Sequence, residues 1–242
     1  MAELAFLAAA FLSEIIGTVA GFGSSTIFLP LALFFVDFKT ALVLVAFFHL
    51  SGNIGRITFF RKFIDFKIAL AFGVPSIILS AVGAYLATQL SPYVFKIILG
   101  VFLMIFSIMS LSKHNIKLPS KRSSILVGGA LSGFLAGFVG TGGVLRGAFL
   151  TAINLAKNKY IATAAAVAMM TDLARIPVYI SGGFLAQEFH YYIPTLFVVA
   201  VAGSYIGKKI VTAIPQKSFR KVVLVSIFLV SVKFVLDGLG GL

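Results

Sequence analysis

Apolar runs of about 20 residues recur from one end of this chain to the other, and that recurrence leaves few architectures open. In lipid, only a helix or a closed barrel satisfies every backbone polar group. A barrel would show shorter segments of alternating polarity. The chain therefore reads as an all-α, polytopic transmembrane helical bundle. Composition agrees. Of its 242 residues, 60% are hydrophobic and 11% charged, whereas a soluble domain carries about 25% charged residues. Cysteine and tryptophan are absent, which excludes disulfides, thiolate chemistry and cysteine-based metal sites. The net charge of +13 is read as cationic loops gathered on one side of a membrane, where they meet anionic lipid, and no nucleic-acid partner is expected. The first residues, "MAELAFLAAAFLSEIIG", lack a basic leading region and carry Glu3 and Glu14, so they are read as mature structure.

Six clean spans stand out, at about 41–60, 68–88, 93–112, 160–180, 191–207 and 222–239. Two further apolar segments, 4–36 and 123–156, are each too long for one crossing, and each is broken by glycine. The breaks read "GFGSSTIFLP" (21–30) and "GFVGTGGVLR" (137–146). They belong to an ordered series of internal matches. Gly17, Ala20, Gly21 and Phe22 fall on Gly133, Ala136, Gly137 and Phe138 at an offset of 116; Asn53 and Arg56 fall on Asp172 and Arg175 at 119; Gly83 and Tyr85 fall on Gly203 and Tyr205 at 120. Two copies of this size indicate a duplicated transporter half. The expected organisation is a first repeat at 1–115, a cytoplasmic linker at 116–122 and a second repeat at 123–242.

Charge selects the topology. If each broken segment crossed once, the basic loops would divide seven against seven between the two sides, contrary to the positive-inside rule. If each dips in and returns, all fourteen cations of loops 61–67, 112–122, 157–159 and 208–221 share one side. Each half then makes three crossings after a re-entrant segment. An odd number inverts the second repeat relative to the first and places both termini outside the cytoplasm.

Non-helical backbone at membrane depth needs a protein or water partner. Gly21, Gly23, Gly137 and Gly140 are expected to make the turns. The half-helices after the breaks offer free N–H groups and positive dipole ends, an arrangement that suits an anion. Ser24, Ser25, Thr26, Thr141, Gly142 and Gly143 would line it. Asn53/Arg56 and Asp172/Arg175 are i, i+3 pairs in equivalent places, and Arg146 follows the second break directly. Intramembrane arginines either line a cavity or pair. The plainer accounts are that Arg56 snorkels, that Asp172 neutralises Arg175, that Arg146 pairs with Glu14, and that the glycines only pack helices. Glu14 and His49 are the candidates for carrying a coupling proton. No metal site, no cofactor and no enzymatic motif is expected: neither HExxH nor GxxxxGK[ST] occurs.

At the two breaks, "AGFGSSTIFLPLAL" and "AGFVGTGGVLRGAFL", and at the following "NIGR" and "DLAR", the chain resembles the sulfite exporter TauE/SafE family of membrane permeases. The resemblance implies transport of sulfite or a small organosulfonate across the cell membrane without ATP, by alternating access driven by ion or substrate gradients. An anion channel and a non-transporting membrane sensor or scaffold are the alternatives, and homodimerisation is left open.

Overall fold

The computed structural model describes residues 1–20, 23–111, 122–153, 155–210 and 216–241. Among these residues it is all-helical, without strands. The helices are α1 (Ala2–Ala20), α2 (Ser25–Ala32), α3 (Phe38–Phe60), α4 (Phe66–Thr88), α5 (Pro92–Leu111), α6 (Arg122–Phe138), α7 (Gly143–Ala152), α8 (Lys157–Ser181), α9 (Tyr192–Ile210) and α10 (Gln216–Leu239). Five segments are long and apolar enough to cross a membrane: Phe38–Phe63, Phe66–Thr88, Pro92–Met109, Asn158–Ser181 and Gln187–Lys209. The sixth expected span falls within α10. Residues 116–121 of the expected linker and Gly21 of the first break lie outside the described residues.

Each expected break separates a long helix from a short one. Gly23 and Gly140 adopt φ of 89° and 86°, a region that only glycine enters without strain. After the first break, α2 runs back along α1. The Phe6 ring lies 5.2 Å from Phe28 on α2, 5.8 Å from Phe35 beyond it and 4.9 Å from Tyr192 at the start of α9. After the second break, α7 returns along α6, where Phe149 lies so close to Gly128 that an added Cβ would sit 2.5 Å from its ring.

Packing crosses between the earlier and later helices of the chain. Helix α4 packs on α6 and α8, and α9 packs on α1 and α3; α3 meets α8, and α5 meets α10. Among the described residues, parts of three basic loops meet at one end of the bundle. Lys159 Nζ is 3.0 Å from Asp65 Oδ2, and Lys208 stands over the rings of Phe59 and Phe60. Asp65 caps α4 there by accepting from Ile68 N. That backbone N–H, and then the Lys159 ammonium, hold its carboxyl below the ordinary value. Its contribution is complete above the usual carboxylate range and fades as pH falls through the lowered value.

One expectation is corrected. Gly137 does not make a turn. It lies inside α6, and with Gly129 and Gly133 forms a stripe pressed onto α4. A Cβ on these three would stand 2.0, 2.2 and 2.4 Å from the carbonyl oxygens of Ser80, Phe72 and Ser76 respectively. Such contact brings the two backbones together and leaves α6 no room for side chains on that face.

Gly137→Ala should therefore destabilise the protein by about 1–3 kcal/mol through overpacking. Gly55 of α3 is the control: its added Cβ meets nothing closer than 3.7 Å, so Gly55→Ala should be neutral or raise stability by up to about 1 kcal/mol. Thermal unfolding in detergent compares the two, and equal effects would contradict the packing account.

Candidate anion site between the helix breaks

The two breaks meet. Thr26 Oγ1 and Thr141 Oγ1 are 2.7 Å apart, and Ser25 Oγ reaches the same threonine at 3.3 Å. A Cβ built on Gly23 would lie 3.6 Å from His49 Nε2, 3.8 Å from Gly143 Cα and 4.0 Å from a terminal nitrogen of Arg146. Residues of α3, α7 and both breaks thus converge within 4 Å of one point. Helix α7 begins here with Gly142 as its N-cap and no side-chain cap. Its first backbone bond runs from Arg146 N to Gly142 O at 3.0 Å, so the earlier N–H groups have no partner within the helix.

The arginines divide into two kinds. Arg175, 1% exposed, uses every part of its fork. Nε and one terminal nitrogen donate to Asp172 Oδ1 at 3.0 and 2.8 Å. The other terminal nitrogen donates to the carbonyls of Ala136 and Gly140 at 2.6 and 2.9 Å. Tyr179 adds its hydroxyl to Gly137 O at 2.5 Å. Together they satisfy the carbonyl end of α6, which lipid could not do. Arg56 is likewise held within the protein. It donates to Asn53 Oδ1 at 2.8 Å, to Thr18 Oγ1 at 3.2 Å, and to the buried Glu14 carboxylate. Glu14 Oε1 also accepts from Ser204 at 2.6 Å. Gly52 gives that carboxylate its space, since a Cβ there would stand 2.6 Å from it.

Arg146 differs from both. It is 6% exposed and, among the described residues, its side chain makes no hydrogen bond and no ion pair. Glu14, its candidate partner, is taken by Arg56. Near it, His49 Nε2 is buried without a partner; Ser24 Oγ, beside Gly23 in the chain, is also buried and unpartnered. His49 Nδ1 meets Asp172 Oδ2 at 2.8 Å. Asn53, the expected site residue one turn on, is turned to its own helix: its amide donates to His49 O at 2.8 Å.

The structure thus brings Gly23, His49, Gly143 and Arg146 to one spot, and places Ser25, Thr26 and Thr141 in the seam between the breaks. It assigns Asn53, Arg56, Asp172 and Arg175 to hydrogen bonds within the protein. Sequence reasoning missed Tyr179, Thr18 and Ser204. Tyr179 was open to discovery, because 172, 175 and 179 follow helical spacing on one face of α8. Thr18 and Ser204 carry no such signal. The groups present could hold an oxyanion: a guanidinium fork, an imidazole edge, a hydroxyl and backbone N–H groups. Among the described residues, no cluster of three His, Asp or Glu could hold a metal ion.

Arg175→Ala would leave the α6 carbonyls and Asp172 without their donor. It should destabilise by about 3–5 kcal/mol, the range for breaking a buried pair. Arg146→Ala removes an unpaired buried charge and should leave stability equal or higher. Detergent unfolding measures both; a folded, fully stable Arg175→Ala protein would refute the capping role.

No curated protein matches this chain, and no solved structure does. A family model does: that of the sulfite exporter TauE/SafE, over residues 6–234. The match takes in all the described helices apart from the extreme ends of the first and last, and it includes both breaks and every residue of the candidate site. This multi-pass membrane chain therefore belongs to the sulfite exporter TauE/SafE family of membrane transporters.

Proposed function

We propose that the chain is a secondary transporter for a small sulfur-containing anion, sulfite or an organosulfonate, which binds between the two helix breaks and crosses by alternating access. The observation that carries this reading is Arg146, a buried guanidinium without a partner among the described residues, placed at the mouth of α7 beside an unpartnered imidazole nitrogen. A buried cation without a counterion is costly. Glu14 offsets Arg56, and Asp172 offsets Arg175, so one positive charge remains for a ligand to neutralise. The unbonded N–H groups at the start of α7 favour the same sign. Ser24 supplies a further donor.

Inverted repeats, each with a re-entrant segment, are the architecture proposed for the transport cycle. Its support is the exchange of packing partners between halves and the return of α2 and α7 along the helices before them. Repeats related in this way can rock against each other around a fixed midplane site. The basic end formed by Lys62, Lys159 and Lys208 is proposed as cytoplasmic by the positive-inside rule, with both termini on the other side.

Two measurements test these readings. Purified protein should be stabilised by sulfite or an organosulfonate, and proteoliposomes should show saturable uptake. Arg146→Ala should weaken binding about ten- to hundredfold, as expected when a charge-assisted hydrogen bond is lost. Arg146→Lys should remain impaired, since an ammonium lacks the planar fork. Unchanged transport by Arg146→Ala overturns the site. For topology, single cysteines placed at 62, 159 and 208 in this cysteine-free chain should all label from the cytoplasm. Labelling from opposite sides overturns the re-entrant arrangement.

A further inference from the structure

His49 touches both halves of the chain and uses only one edge of its ring. Nδ1 lies 2.8 Å from Asp172 Oδ2. A carboxylate only accepts, so Nδ1 carries a hydrogen and donates it. Asp172 is held in its ionised form by the two Arg175 N–H groups on its other oxygen. A neutral imidazole with its hydrogen on Nδ1 leaves a lone pair on Nε2. That atom is buried and without a partner, and it borders the same point that the Arg146 guanidinium reaches. An oxyanion presents only acceptors, so a lone pair there repels it. A second ring proton turns Nε2 into a charged donor aimed at the anion.

Charge points the same way. The groups facing this ring are Asp172 and Arg175 from α8 and Arg146 from α7. Helix α2 carries no titratable residue, and on α9 the ionisable side chains, Tyr192, Tyr205, Lys208 and Lys209, lie toward its ends. On α1, Glu14 is held by Arg56. With His49 neutral, Asp172 and Arg175 cancel and Arg146 leaves a single positive charge. With His49 protonated the site carries two, which matches a dianion.

We infer that a dianionic sulfur oxyanion enters this site together with one proton, taken up on His49 Nε2, so that the chain is a proton–anion cotransporter with the His49–Asp172 pair as its coupling element. The inference rests on the anion-binding reading above. The step moves one proton from water to Nε2 as the anion binds and returns it to water on the other side as the anion leaves. No covalent bond other than N–H changes. Asp172 holds the ring in the orientation that keeps Nε2 toward the anion. Linkage makes the effect reciprocal: a bound dianion strengthens the ring's hold on its proton, and the proton strengthens the site's hold on the dianion.

The test uses sulfate and thiosulfate, whose charge does not change near neutral pH, and the monoanion isethionate beside them. Purified full-length protein is titrated in weakly buffered detergent solution with a pH-sensitive dye. Calorimetry in buffers of different ionisation heat repeats the measurement. Binding of a dianion should take up about one proton, and affinity should rise about tenfold per unit fall in pH where the free ring is neutral. His49→Gln offers an amide donor without a titrating proton. It should bind the dianion with no proton uptake and a flat pH profile, and His49→Asn serves if that variant does not fold. Dianion binding to the unaltered protein without proton uptake overturns the inference and leaves the anion site standing. So does binding of isethionate alone. Binding of none of the three anions, nor of sulfite, at any pH overturns the anion site itself and the inference with it.

Discussion

The carbonyl end of α6 is the constraint on which the site depends. A helix that ends away from water leaves its last carbonyls without donors unless the protein supplies them. Arg175 answers Ala136 and Gly140, and Tyr179 answers Gly137. With those bonds made, Gly140 can enter its positive-φ conformation and α7 can begin at Gly143. The break is thus a built junction. Asp172 holds Arg175 from behind and, with its other oxygen, orients His49. One carboxylate links the helix end of the second half to the imidazole of the first.

Arg56 and Arg175 are each held by a buried carboxylate, in different ways. In both cases the arginine bonds the polar residue three positions before it and reaches across to the broken helix. In the second half the acid is that neighbour, Asp172. In the first half the neighbour is Asn53, and the acid comes from α1 as Glu14. Each of these two arginines is thus balanced by one buried carboxylate. Glycines show a similar exchange. In the α4–α6 contact the broken helix carries the stripe of Gly129, Gly133 and Gly137. In the α1–α9 contact the glycines lie on α9, where Gly203 and Gly207 accept Glu14 and Thr18.

Both exchanges leave Arg146 without an equivalent. Its position on α7 corresponds to the region of Pro30 on α2, which bears no charge. Under the proposed function, that difference leaves one uncompensated cation for the anion. Asp172, the carboxylate whose charge acts on Arg146, is already bonded to Arg175 and His49.

Much of this was legible along the chain because lipid imposes simple rules. Apolar length marks the spans, cation placement marks the loops, and a glycine cluster within an apolar run marks a break. The series from Gly17 and Gly133 to Tyr85 and Tyr205 is the ground for expecting a duplication, because each match keeps its order. The i, i+3 spacing of Asp172 and Arg175 is enough to pair them on one helix face. Sequence alone could not say which buried arginine lacks a partner. That depends on which groups meet across 42 residues for Glu14 and Arg56, and across 123 residues for His49 and Asp172. Nor could it separate Gly137 from Gly140, the first a contact surface for α4 and the second a turn, since glycine serves both uses and only the neighbouring backbone distinguishes them. Local rules set the elements and their order; the assignment of each buried charge was decided by tertiary packing, because a donor is free only once every acceptor within its reach is known.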